Sequence, residues 1–166
     1  VAKLSEDHLL TSSERPNGLA EPEFKELQIQ EDADIDYVGN LLFISLRSDW
    51  TPKKGGKTYT TGSTIYCDWE KFWEEGKDAV EYEILFEPTS RTAFEHMTVT
   101  KDYVIVSTMD NVKSKLQFYK LGDGGNSLSL VHEDTEPKIR QCSAWAIDAL
   151  ESNDLWFTRS SYTQPR

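Results

Sequence analysis

The sequence predicts an all-β protein, and three observations carry that expectation. Its apolar runs are short: LLFISL at 41–46 and YVIVST at 103–108 suit buried strands and are too brief for ordinary helices. Turn residues stand between them, at Gly39-Asn40, Lys101-Asp102, Asp110-Asn111 and the Gly-Asp-Gly-Gly-Asn stretch 122–126. A unit also recurs. TVTKDYVIVST (98–108) and IDALESNDLWFTRSS (147–161) share a strand, a charged turn, an apolar strand and a polar tail. Their apolar strands begin about 52 residues apart, near the upper length of a four-stranded propeller blade.

Side chains alternate along a strand, so the make-up of each face shows what covers it. In 103–108, Tyr103, Ile105 and Ser107 oppose Val104, Val106 and Thr108, which predicts cover on both sides. In 113–120, Ser114, Leu116 and Phe118 oppose Lys113, Lys115, Gln117 and Tyr119, the pattern of a half-exposed strand. Crowded strands beside wet ones suit propeller blades. A third unit fits between 35 and 87, with strands at 41–46, 63–68 and 82–86. The expected architecture is a partial β-propeller of about three four-stranded antiparallel blades, at about 31–88, 92–133 and, incomplete, 141–166. Residues 1–30 hold at most one or two strands.

Taken in order, 1–23 is polar and broken by Pro16, Asn17, Gly18 and Pro22. Residues 24–30 alternate Phe24, Glu26 and Gln28 against Lys25, Leu27 and Ile29, which reads as a weak strand. The acidic patch at 31–36 reads as a solvated turn, and 47–62 as a long excursion with Pro52, Gly55, Gly56 and Gly62. Asp68 is positioned to cap one short helix over 69–75, closed by Gly76. Trp69, Phe72 and Trp73 fall at i, i+3 and i+4 and give that helix one apolar stripe, expected to pin it to a sheet. Residues 122–126 form a turn that admits positive φ, 127–132 an outer strand, 133–140 a charged connector, and 141–147 and 154–158 further strands.

A net charge of −11 opposes binding to nucleic acid through phosphate neutralisation. No apolar run reaches the roughly 20 residues that span a bilayer. The start lacks both Met and the apolar core of a secretory signal, so the sequence reads as a piece cut from a longer chain. Cys67 and Cys142 match no C-x-x-C pattern and are expected to be small buried thiols.

A search for chemistry yields no catalytic, cofactor-binding or metal-ligating residue. The nucleophile elbow G-x-S-x-G is missing; Ser127 and Ser129 follow the glycines of 122–125 without its flanking pattern. His8, His96 and His132 have neither an H-E-x-x-H partner nor a cysteine at zinc spacing. Asp32, Asp34 and Asp36 alternate as calcium ligands sometimes do, but Tyr37 stands where an EF-hand loop needs Gly and Phe43 where it needs Glu. Gly122, Gly124 and Gly125 lack the Lys and the following helix of a phosphate loop.

Four ordered segments carry a family resemblance: ISLRSDWT (44–51), GGKTYTTGS (55–63), ILFEPTSRTAF (84–94) and MTVTKDYVIVSTMDNVKSKL (97–116). Over about 31–164 the chain resembles the β-propeller domain of the prolyl oligopeptidase family of serine peptidases. The resemblance implies a seven-bladed propeller over an α/β-hydrolase domain, screening the active site so that only short peptides enter. It places the catalytic serine, aspartate and histidine in the hydrolase domain, which nothing here matches. The implied partners are that domain, the remaining blades and the parent's peptide substrates. The alternative is a stand-alone sandwich-like binding module, distinguished by Greek-key crossings in place of consecutive meanders. Three blades out of seven also imply two uncovered apolar faces, and hence self-association.

Overall fold

A computed structural model describes residues 26–111, 113–134 and 141–160. They form ten strands and one α-helix. The first sheet has the order β1 (Asp34–Val38), β2 (Leu41–Ser45), β3 (Thr64–Asp68), β4 (Glu83–Phe86), every neighbour antiparallel. The second repeats the plan with β5 (Thr92–Val99), β6 (Tyr103–Asp110), β7 (Lys113–Leu121) and β8 (Leu128–Glu133). A hairpin of β9 (Gln141–Ala146) and β10 (Leu155–Ser160) makes the third. Strand order follows chain order throughout, with no Greek-key crossing among the described residues. This rules out the sandwich and leaves an all-β partial propeller built of meanders.

Each buried strand belongs to two cores at once. In β2, Leu42 and Ile44 enter one cluster and Leu41 and Phe43 another, which is why four consecutive residues are buried. In β3, Ile65 and Cys67 join the first cluster and Tyr66 the second. In β6, Val104 and Val106 complete the second cluster, while Ile105 points the other way, to Leu116, Cys142 and Ala144. The cover expected on both sides of residues 103–108 is therefore found, with a neighbouring sheet on each side. The layers run first sheet, second sheet, β9–β10.

The outer face of the first sheet is also covered, by the chain itself. Trp50 and Tyr59 of the excursion pair as an isolated bridge and join the first cluster. Helix α1 (Trp69–Glu75) adds Trp69 and Phe72, with Trp73 packed alongside. Asp68 caps it through Lys71 N (2.7 Å), and Gly76, at φ 89°, ends it. Of the two uncovered faces expected from sequence, this one is closed.

Three local expectations are corrected. Residues 26–30 are not a strand: Ile29 N bonds Leu27 O, and Leu27 and Ile29 pack on the first cluster from a turn. The acidic patch is not a turn throughout, because Asp34–Val38 is the edge strand β1, whose ladder β2 supplies while its acidic side chains stay in water. The outer strand begins at Leu128, and Ser127 instead closes the preceding turn by accepting from Gly122 N.

Candidate functional site

Four turns come together at one end of the stacked sheets: β1–β2 at Gly39, β5–β6 at 100–102, β7–β8 at 122–125 and β9–β10 at 147–150. They border an open trough of about 1200 Å³. Its floor holds Met97, Val99 and Leu121; Tyr37, Ile147 and Leu150 stand exposed at its margin. Asp36, Asp102 and Asp123 face Lys101 and Lys120 around it, so neither sign dominates.

Two contacts between sheets fix this end. Gly39 takes φ 59° in a two-residue turn and lies against Gly125 (φ 69°) of the second sheet. A Cβ on Gly125 would stand 2.8 Å from Gly39 Cα, and one on Gly39 would stand 2.9 Å from Gly125 Cα. That leaves room only for glycine. Asn40 N donates to Gly125 O at 3.1 Å. Between the second sheet and the β9–β10 hairpin, Asn153 Oδ1 accepts from Thr100 Oγ1 (3.0 Å) and Asp102 N (3.0 Å), while its Nδ2 donates to Asp102 Oδ2 (2.7 Å). Lys101 N donates to Ser152 O (3.1 Å), and Ala146 N to Thr98 Oγ1 (3.1 Å).

The residues weighed from sequence do other work. Asp34 is held by Arg47 (2.7 Å) and Asp32 by Ser48 (3.2 Å), so the alternating aspartates are drawn apart. His96 bonds Ala144 O through Nε2 (3.2 Å) and stacks on Trp145, a structural position between sheets. His132 lies against Phe118 on exposed β8, where Ser129 is also exposed. His8 lies outside the described residues. Gly124 and Gly125 adopt positive φ to make the turn and the Gly39 contact. Cys67 and Cys142 are free, buried thiols in different clusters. Burial pushes the Cys67 thiol up to about 12, and raises Cys142 too, so neither is a poised thiolate.

The trough's lining contains no serine, cysteine or histidine. Thr100 Oγ1, within it, is already engaged by Tyr103 N (3.2 Å) and Asn153. The arrangement offers apolar surface, backbone groups and side chains of both charge signs. Sequence reading names the glycines of 122–125, the Lys101-Asp102 turn and Tyr37, none of them as part of a shared site, and does not name Asn153 at all. Their only signal was position in or beside turns that the meander carries to one end.

No protein-family model matches the chain. An uncharacterized peptidase of Rickettsia prowazekii (strain Madrid E) is 32% identical over 101 residues, covering 59% of this chain and 14% of that protein. The solved structure of a post-proline cleaving enzyme from Rickettsia typhi matches with a TM-score of 0.69 at 21% identity, over 86% of this chain and 20% of that one. The chain is thus similar in sequence to part of a peptidase and shares its fold with part of a post-proline cleaving enzyme. The resemblance read from the ordered segments is thereby borne out. The chain spans 14% of the length of the first of these proteins and 20% of the second.

Proposed function

We propose that this chain supplies propeller blades to a prolyl oligopeptidase-like serine peptidase, filtering peptide access to a hydrolase domain carried elsewhere. The blades correspond to about 31–88, 92–133 and 141–166. The observation that carries the reading is the trough bordered by turns of all three sheets, a polar and apolar surface whose lining holds no serine, cysteine or histidine. A wall of this kind selects by width and by weak contacts, since neither charge sign dominates its lining. Bond cleavage belongs to the absent domain.

Two assays test this. The chain alone, incubated with a proline-containing reporter peptide, is expected to give no hydrolysis above buffer; turnover would refute the non-catalytic assignment. In a polypeptide that joins the chain to its hydrolase domain, short peptides are expected to be cleaved while long ones are spared. Deleting 31–160 should abolish that length limit with cleavage of short peptides retained. A limit that survives the deletion would refute filtering.

A further inference from the structure

We infer that the Lys54–Gly55 peptide bond is a cleavage site for endopeptidases that cut after lysine, and that cutting it leaves the two pieces joined through the fold. The excursion between β2 and β3 has a firmly held base and a loosely held tip. At the base, Trp50 and Tyr59 are buried and pair through two backbone hydrogen bonds (2.9 and 2.8 Å). The hydroxyls of Thr51 and Thr58 share another (2.7 Å). At the tip, residues 54–57 are exposed, and the chain is turned by a single backbone hydrogen bond, from Gly56 N to Lys53 O (2.9 Å). A Cβ on Gly55, at φ 74°, would meet no atom within 4 Å. Exposed tips of small and polar residues are where chains are preferentially nicked.

The three lysines of this tip are not equivalent. Lys53 Nζ donates to Glu81 (2.8 Å), and Lys57 Nζ lies over the Tyr59 ring (5.3 Å from its centroid). Lys54 is exposed and makes no such contact among the described residues. A peptidase takes its substrate as an extended segment. Extending the chain at Lys54 costs one water-exposed hydrogen bond, and the two glycines that follow accept any backbone angle the site imposes. Extending it at Lys57 would pull on buried Tyr59 and its bridge. Elsewhere, Lys71 lies within α1 and Lys113, Lys115 and Lys120 within β7, while Lys101 N is tied to Ser152 O. In the cut, water adds across the bond: the Lys54 carbonyl carbon takes the oxygen and ends as a carboxylate, and Gly55 N leaves as an ammonium.

The fold spans the break. The piece up to Lys54 carries β1 and β2, and the other carries β3 to β10. Between them the β2–β3 ladder stays whole, from Leu41↔Asp68 to Ser45↔Thr64. Alternate residues of β2 remain packed in two separate cores, both completed by residues beyond the cut. Burial of this extent holds pieces together without a covalent link.

Brief digestion of the 166-residue chain with a lysine-specific endopeptidase, read by mass spectrometry and N-terminal sequencing, tests the inference. Among the bonds within residues 26–134, Lys54–Gly55 is expected to be cut first, giving a new terminus Gly-Gly-Lys. The pieces should elute together in size exclusion with an unchanged circular dichroism spectrum, and separate in denaturant. Lys54→Gln, at an exposed site, should lose this cut, and Lys57→Gln should retain it. A first cut at another bond in that range, a cut that survives Lys54→Gln, or pieces that separate without denaturant would overturn it.

Discussion

The two seams between layers are closed by different physics. Between the first and second sheets, Leu41, Phe43, Tyr66 and Leu85 meet Val104 and Val106 in a broad apolar contact, with Val99, Tyr119 and Leu121 at its edge. Between the second sheet and β9 the buried set is Ile105, Leu116, Cys142 and Ala144, with smaller side chains on the β9 side. There, Asn153, Thr98, Thr100 and His96 add hydrogen bonds across the gap. Buried area is non-directional and tolerates sliding, whereas hydrogen bonds fix register but contribute modestly in net terms. The first seam is therefore the main source of cohesion, and the second is held in register by its hydrogen bonds.

Substitutions can break this contrast, and the largest effect is expected at Phe43. Phe43→Ala empties the centre of the first seam and should cost about 3–5 kcal/mol in denaturant unfolding. A cost under about 1 kcal/mol would mean that the two sheets do not depend on that contact. Gly125→Ala comes next: it combines a positive φ with a Cβ against Gly39 backbone, and about 1–3 kcal/mol is expected. Gly55→Ala, at positive φ but in open space, should cost less, isolating the contribution of the contact.

Asn153→Ala tests the second seam. The side chain is exposed, so only about 1 kcal/mol is expected. Amide exchange at Asp102 and Ala146 should nevertheless accelerate, while exchange in β2 and β3 stays unchanged. Equal acceleration in both sheets would deny that these hydrogen bonds hold the second seam on its own.

Alkaline pH provides the gentlest probe. Burial raises the Cys67 thiol from 9.0 to about 12, and burial also raises Tyr59, Tyr66, Tyr82, Tyr119 and Cys142. For Tyr66, the hydrogen bond it donates to Glu83 (2.6 Å) acts in the same direction. A raised folded value means that the protonated form is favoured by folding. The associated stability is thus complete below about pH 9 and is lost as pH climbs toward 12. Thermal melts should show Tm level from pH 7 to 8.5 and falling beyond 9, less steeply in Cys67→Ala. A flat profile up to pH 11 would contradict the burial of these groups.

Local chemistry made much of this fold readable. The Asp68 cap, the Trp69, Phe72 and Trp73 spacing and the Gly76 stop delimit α1 without reference to anything distant. The apolar runs announced a buried strand at β2 and a strand with cover on both sides at β6. Less was visible where an element borrows its stability. β1 is an acidic stretch of low strand propensity that exists because β2 offers a ladder, and the alternation around Leu27 and Ile29 reflects packing from a turn. The seam partners were invisible for another reason. Asn153 and Asp102 are 51 residues apart, as are Gly39 and Gly125 by 86, and no periodicity links residues joined only by the stacking of sheets. The trough shared that obscurity, being assembled from turns.

Nuclear Overhauser contacts among aromatic and methyl groups test the layered meander most directly. Phe43 should show contacts to Val104 and Val106, and Ala144 to Ile105 and Leu116, with none between β1 and β10. Cross-peaks joining Ile35 or Tyr37 to Trp156 or Phe157, with the Phe43 contacts missing, would describe a closed barrel and contradict the stacked blades.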